Sequence, residues 1–388
     1  MHILISGAGI AGLAAARELG ARGHDVTVVE HAHRLRFEGT PVDIRGDAIG
    51  AVDRMGLLAR IREQRLRMSE SSYFVDGDGE PVGRVPVAAT SGADEDAHVE
   101  ILREDLVRIL AEALPDTVTI RFADAVRSLT DDDVSDGGGG GHDGVRVCFD
   151  SGRAGRYDLV VGADGQHSAV RALVFGPEKD YLRHLGVYFA LVDLPGDTWS
   201  DGVNTIHNVP GRLAGVFRYK DRTVAVFQFR SGPLDYDHRD PDAQKRILLD
   251  AFAGVTSWRI PLLLDAVRAA PTLYFDSASQ IRLPSWHRGR AVLVGDAGYC
   301  PAFLSGRGTS LALTGARFLA EELERNGDDH TTAFARYEAR QRPYVAFAQT
   351  SAEAGRDRLL PATRADLAAR DAALRAAGSR PPATRSAP

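Results

Sequence analysis

Three glycines, Gly7, Gly9 and Gly12, stand at the spacing Gly-x-Gly-x-x-Gly directly after a short apolar run, Ile3 to Ile5. Glycines so placed permit a tight turn, let the backbone approach a pyrophosphate, and let the following helix pack on the strand. Leu13 to Arg22 continue at helical spacing, so a helix N-terminus, with its unpaired N–H groups and positive dipole end, faces the same point. Ala11, inside the turn, joins the candidate set. A second apolar run, Val26 to Val29, ends on Glu30, about 20 residues on, where an acid hydrogen-bonds ribose hydroxyls and favours FAD or NAD over NADP. The glycine pattern alone is a weak signal. Strand, turn, helix, strand and terminal acid in register make it a dinucleotide site without saying which dinucleotide.

Two further stretches have the same construction. In Asp158-Leu-Val-Val-Gly-Ala-Asp164-Gly165-Gln-His-Ser168-Ala-Val-Arg171 an apolar strand runs into a turn, and a helix begins near Ser168. A strand-to-helix turn capped by Ser168 accounts for it without any ligand. From Gly289 to Ser310 a buried strand again ends in glycine and an acid, Gly295-Asp296. Pro301 and Gly306-Arg307-Gly308-Thr309 then open a helix expected over 309–323. Such a helix start offers backbone N–H groups to something electron-rich.

In this order and spacing the three stretches resemble the single-component FAD-dependent aromatic hydroxylases and monooxygenases, with the p-hydroxybenzoate hydroxylase fold, over nearly the whole chain from His2 to about Tyr344. The resemblance implies that Gly7, Gly9, Ala11 and Gly12 hold the FAD pyrophosphate and Glu30 the adenosine ribose. It puts Arg103 at the FAD phosphate and ribityl region, Asp164-Gly165 at the motif linked to FAD and pyridine nucleotide, and Asp296 on the ribityl chain. Gly306, Gly308 and Thr309 would place backbone donors near the flavin N1 and C2 carbonyl, where negative charge develops on reduction. Pro301 would line the face on which oxygen reacts. Arg45, which follows a strand end, reads either as facing the flavin or the nicotinamide path or as a surface arginine over a turn. The implied cofactor is non-covalent FAD with NAD(P)H and O2 as co-substrates. The implied chemistry is hydroxylation or epoxidation of a small aromatic or polyketide-like metabolite through a flavin C4a-hydroperoxide. The chain departs from the common family pattern at Tyr299, where histidine is frequent, and at Arg307, where glutamine is frequent.

The elements that must position these residues follow from periodicity. The implied fold class is α/β, a Rossmann-like FAD-binding domain with an inserted antiparallel-sheet substrate domain and C-terminal helices. The FAD-binding part takes residues 1–71, 98–178 and 285–345. A hairpin at 72–97 and a strand-rich stretch at 179–284 form the substrate domain. C-terminal helices occupy 346–378, and a Pro/Arg/Ser tail at 379–388 reads as disordered. A helix is expected over 47–59, strands over 187–192, 203–208, 213–219, 223–229 and 272–277, and helices over 242–252, 331–342 and 364–377. The glycine-rich run 131–141 lacks a preceding strand and reads as a surface loop, as does the polar stretch 90–97. On the predicted strands His207, Tyr219, Gln228 and Tyr274 are substrate candidates, of which alternation lets only one face of each strand take part.

Composition bounds the remainder. The 388 residues are 44% hydrophobic and 26% charged, and 47 Lys+Arg against 53 Asp+Glu give a net charge of -6, with no basic bias toward nucleic acid. No apolar stretch approaches a membrane span, the N-terminus reads as the first strand rather than a signal peptide, and a cytoplasmic monomer or homodimer is expected. Cys148 and Cys300 suggest neither a disulfide framework nor a metal site. Cys300, beside the presumed flavin, reads as a packing residue rather than a tether, and His167 as a helix-start residue. Competing readings are a flavin-dependent reductase without oxygen transfer, a non-catalytic FAD-binding protein, and a flavin-dependent halogenase. The halogenase reading is disfavoured. Trp258-Arg-Ile-Pro261 has Thr256 where that signature has its first tryptophan, and the only lysines are Lys179, Lys220 and Lys245.

Overall fold

The computed structural model describes residues 1–35, 40–66, 72–85, 98–131, 144–196, 199, 203–220, 222–237 and 240–376. The expected loops at 90–97 and 131–141 (Asp131 apart) and the tail at 379–388 lie outside the described residues. The chain forms two compact units. One comprises Met1–Leu66, Asp94–Arg183 and Ser279–Ala352, the other Arg67–Ala93, His184–Ala278 and Glu353–Pro388.

The first unit is built on a six-stranded sheet in the order His287–Arg288, Ala291–Leu293, Leu159–Gly162, His2–Ser6, Asp25–Glu30, Val118–Phe122. All pairs are parallel except the first. Parallel strands are covered on both faces, which is why they read as continuous apolar runs rather than alternating ones. Ile3, Leu4, Ile5, Val26, Val28, Val160 and Val161 are all 0% exposed, each worth about 1.5–3 kcal/mol of burial. Ile5 sits in register with Val28 on one side and Val161 on the other. The three candidate stretches therefore end beside one another at the carboxyl edge of neighbouring strands, where open α/β sheets bind ligands. A second, antiparallel sheet joins Pro41–Arg45, His98–Leu102 and Arg65–Leu66.

Two helices differ from expectation. The one expected over 47–59 is two, Asp47–Arg54 and Leu58–Glu63, because Gly56 between them takes φ +73°. The one expected to stop before Pro343 runs unbroken as His330–Leu359. Pro343 lies on the exposed side, so water can reach the carbonyl that its missing N–H leaves unpaired.

The second unit is built on a seven-stranded sheet in the order Tyr274–Ile281, Leu182–Leu194, Arg222–Arg230, Arg212–Tyr219, Asn204–Val209, Ser72–Val75, Pro81–Arg84. From Leu182–Leu194 to Pro81–Arg84 its pairs are antiparallel as expected except one, Asn204–Val209 with Ser72–Val75, which run parallel. The hairpin turn between the last two strands is fixed by Asp76 Oδ1, which accepts from the N–H groups of Asp78 and Glu80. Helices Pro241–Ala251 and Ile260–Ala269 cover one face, packing Leu248, Leu263 and Val267 on Tyr188, Ala190, Ala214, Val216, Ala225 and Phe227. The second of these helices was not expected; its Pro261 is tolerated because it falls in the first turn.

Candidate functional site: a nucleotide cradle at the strand ends

Gly7, with φ +101°, makes the turn that the spacing requires. Gly12 is a steric necessity, because a Cβ there would lie 1.9 Å from the Gly7 carbonyl oxygen. The helix Ile10–Gly20 then starts without a side-chain cap and without an acid in its first turn among the described residues. Arg103, at the start of Arg103–Glu112, brings Nη2 to 3.9 Å from where a Gly9 Cβ would be, so its guanidinium stands over the turn. Glu30 is buried, and its carboxylate accepts the N–H groups of Ala8 at 2.9 Å and Ala32 at 3.0 Å. It thereby ties the end of its strand to the glycine turn.

The third stretch packs directly against the first. Gly295 has φ +67°, and a Cβ on it would lie 2.7 Å from the Ala11 Cβ. Asp296 opens a short helix, and its Oδ1 is 3.8 Å from where a Gly308 Cβ would be. Helix Gly308–Asn326 is again uncapped by a side chain and free of acids in its first turn among the described residues. Helices Asp47–Arg54, Leu58–Glu63, Arg103–Glu112 and Ile260–Ala269 also start without a side-chain cap among the described residues, so it is the neighbouring glycine turns and Arg103 that set these two starts apart, whereas two other helices are capped. Ser168 Oγ accepts from Arg171 N at 2.9 Å, and Asp240 Oδ1 accepts from Asp242 N and Ala243 N. Bare N-termini at the first and third stretches leave backbone donors facing outward, which suits phosphate and an electron-rich ring edge.

The second stretch is more inward than its motif suggested. Asp164 accepts from Ser168 Oγ, from Val170 N at 3.1 Å and from Ser6 Oγ at 3.5 Å. Burial raises its pKa above the usual carboxylate range, with those hydrogen bonds pulling the other way. Gly165, next to it, takes φ +85°. Arg171, fully buried, donates to the carbonyls of Ala297 at 3.0 Å and Gln166 at 2.7 Å and pairs with Glu178 at 2.6 Å. It fastens the second stretch to the third. His167 is exposed and bonded to Glu178, which fits a helix-start residue.

Around the third stretch lies a charged cluster that sequence reasoning saw only in part. Arg45 donates from Nη2 to Asp43 at 2.8 Å and from its backbone N to Ser310 Oγ at 2.9 Å, while its Nε is buried without a partner. His98 Nε2 donates to the other Asp43 oxygen at 2.6 Å. Asp43 also lies 3.5 Å from where a Gly306 Cβ would be. The Arg307 pKa is lowered by burial and then by the Arg45 charge, with Asp43 opposing, and its guanidinium stacks on Phe347 at 4.6 Å. Asp43 and His98 were missed. The alternation of Val42-Asp43-Ile44-Arg45 was the available signal, since it puts Asp43 and Arg45 on one face of a strand.

Pro301 is buried beside this loop, and its carbonyl accepts from Gln280 Nε2 at 3.3 Å. Cys300 Sγ is engaged with Gln166 Oε1 and the Ser279 carbonyl, both at 3.4 Å, as a packing residue would be. Tyr299 points into the core. Its hydroxyl meets Tyr337 at 3.0 Å, its ring lies 4.5 Å from Trp286, Gly315 makes room for it, and burial pushes its pKa up to about 12. Its departure from the family pattern is therefore a packing change.

The four substrate candidates do not converge. Gln228 pairs in register with Phe189 and Leu213, and Tyr219 shares their face. Tyr274 meets Phe189 edge-on at 5.9 Å. His207 is paired with Ala214 on the opposite, helix-covered face, with its nitrogens on the Val75 carbonyl at 3.1 Å and Ser257 Oγ at 2.9 Å. His207 therefore lies on the other face of the sheet from Gln228 and Tyr219.

A Rossmann-like sheet, a glycine turn under an arginine, a buried terminal acid and a second helix start beside it form a dinucleotide-binding site. The family model described as FAD binding domain matches residues 1–351, and the chain belongs to that family. It is 36% identical to a flavin-dependent monooxygenase of Legionella longbeachae, over 89% of this chain and 86% of that one. An uncharacterized protein of Mycobacterium tuberculosis is 41% identical over 88% and 90% of the two chains. The crystal structure of tetracycline destructase Tet(55) superposes with a TM-score of 0.81 at 34% identity, covering 96% of this chain and 94% of that one. The protein is an FAD-dependent monooxygenase.

Proposed function

We propose that the enzyme uses NAD(P)H and O2 to hydroxylate or epoxidise a small aromatic or polyketide-like molecule. FAD, when bound, supplies the electron acceptance and oxygen activation. The chain supplies position and field. The uncapped N–H groups after Gly9 and the Arg103 guanidinium take the pyrophosphate, Glu30 the adenosine ribose, Asp296 the ribityl chain, and Asp164-Gly165 supports the turn between them. Backbone donors of Gly306 to Thr309 face the pyrimidine edge of the ring, and Pro301 lines the reacting side. Gln228, Tyr219 and Tyr274, on one face of the sheet, are the substrate contacts favoured by their shared side.

The observation that carries this reading is the bare helix start at Gly308 next to the Asp43–Arg45–Arg307 cluster. Backbone donors and the Arg45 and Arg307 guanidinium groups, set against the Asp43 carboxylate that bridges His98 and Arg45 and the Asp296 carboxylate beside Gly308, would offset the negative charge that reduction places there. The test is turnover under 18O2 with each compound that accelerates flavin reduction. One 18O atom in the product supports the reading. Reoxidation that yields only hydrogen peroxide with every such compound contradicts it.

A further inference from the structure

We infer that the cavity between helices Asp47–Arg54, Gly308–Asn326 and His330–Leu359 is a phosphate site that takes the adenylate half of the pyridine nucleotide, an assignment that rests on the reductant proposed above. The cavity holds about 750 Å3, within the range of small-molecule sites. Four arginines line it, Arg54, Arg62, Arg317 and Arg340, against one carboxylate, Asp47. That carboxylate already accepts the Tyr344 hydroxyl.

Two of the arginines are held in place. Arg317 Nε donates to Glu321 at 2.6 Å, and Arg340 pairs with Glu321 at 2.7 Å and with Glu322. Both guanidinium groups lie over the Phe318 ring, at 5.7 and 4.2 Å. These bonds use one N–H of Arg317 and two of Arg340, and a guanidinium has five to give. The other two, Arg54 and Arg62, are exposed, and Arg54 donates only a 3.3 Å bond to the Gly50 carbonyl among the described residues. Planar forks of this kind match phosphate bidentately. Tyr344, partly exposed on the same wall, offers a ring to a base.

The location suits a reductant. Gly46 and Asp47 form part of the wall. They directly follow Arg45, whose N–H bonds Ser310 in the loop assigned to the flavin. A nucleotide anchored here by its phosphates has its other end free to reach that loop.

The test is calorimetric titration of the FAD-loaded protein with 2′,5′-ADP, for the wild type and for Arg54→Ala/Arg62→Ala, two exposed changes whose unchanged melting temperature serves as the folding control. The expected result is saturable binding that weakens about tenfold or more in the variant. No binding, or equal affinity in the two proteins, overturns the assignment. Anaerobic reduction then separates the two claims. The variant should need about tenfold more NADPH for half-maximal rate with the limiting rate unchanged, and an unchanged NADPH requirement overturns the assignment. A wild-type flavin that neither nucleotide reduces contradicts the reductant itself and leaves the calorimetry to decide on the pocket.

Discussion

The glycine turn of the first unit and the open sheet of the second carry their candidates in opposite ways. In the turn the residues are adjacent in sequence and the geometry leaves no choice. Gly12 has no room for a Cβ, Glu30 closes back on Ala8, and Ala11 touches Gly295. In the sheet the candidates are spread over four strands, and alternation divides them between two faces. Binding the cofactor's phosphates is a backbone task that the local chain dictates. Selecting a substrate is a side-chain task that depends on which face each strand turns outward.

That contrast can be broken most forcefully at Gly12. Gly12→Val puts side-chain atoms against the Gly7 carbonyl, and purified protein is expected to retain no stoichiometric FAD by absorbance. Full flavin loading would show that the turn is less constrained than its geometry implies. Next in size is Arg171→Met, which strips a fully buried cation from Glu178 and two carbonyls. Denaturant unfolding should show a loss of about 3 kcal/mol. On the sheet, His207→Leu should lower stability by about 1–3 kcal/mol, because Ser257 and the Val75 carbonyl lose their partner, with substrate half-saturation unchanged. Gln228→Leu should do the reverse, since Gln228 Oε1 has no partner to lose. Equal behaviour of the two variants would erase the distinction between faces.

The smallest effect expected is at Asp357, whose pKa hydrogen bonds to Arg356 and Arg230 lower from 3.8 to about 2. A depressed carboxylate stabilises the fold above its unfolded pKa and loses that contribution as pH falls through the folded one. Asp357→Asn should therefore cost under about 1 kcal/mol at neutral pH, the group being mostly exposed. The difference should shrink below pH 3.8 and be nearly gone by about 2. A difference that persists at the lowest pH would place the effect in packing instead.

What the sequence showed follows the same division. The nucleotide turn and the parallel strands were readable because their signals are glycine spacing and continuous apolar runs, both local. The helix starts at Arg103 and Thr309 were readable for the same reason. Contacts between distant segments left no local trace. Arg171 stood at the end of the second stretch without a role of its own and proved to bind the Ala297 carbonyl. His98 carried no signal and proved to hold Asp43. Tyr299 looked like a change at the site and proved to be a core residue, which only the facing Gly315 and Tyr337 explain. The helix expected to end before Pro343 runs on because proline's cost depends on its exposure, which local propensity does not record.

The most direct test of the account is anaerobic stopped-flow reduction of the FAD-loaded protein by NADH and by NADPH, with and without a panel of aromatic and polyketide-like compounds. Reduction by one of the two nucleotides, sharply accelerated by a compound that Gln228→Leu no longer recognises, is the predicted result. Absence of reduction by both nucleotides, with or without any compound, would contradict the proposed single-component reaction.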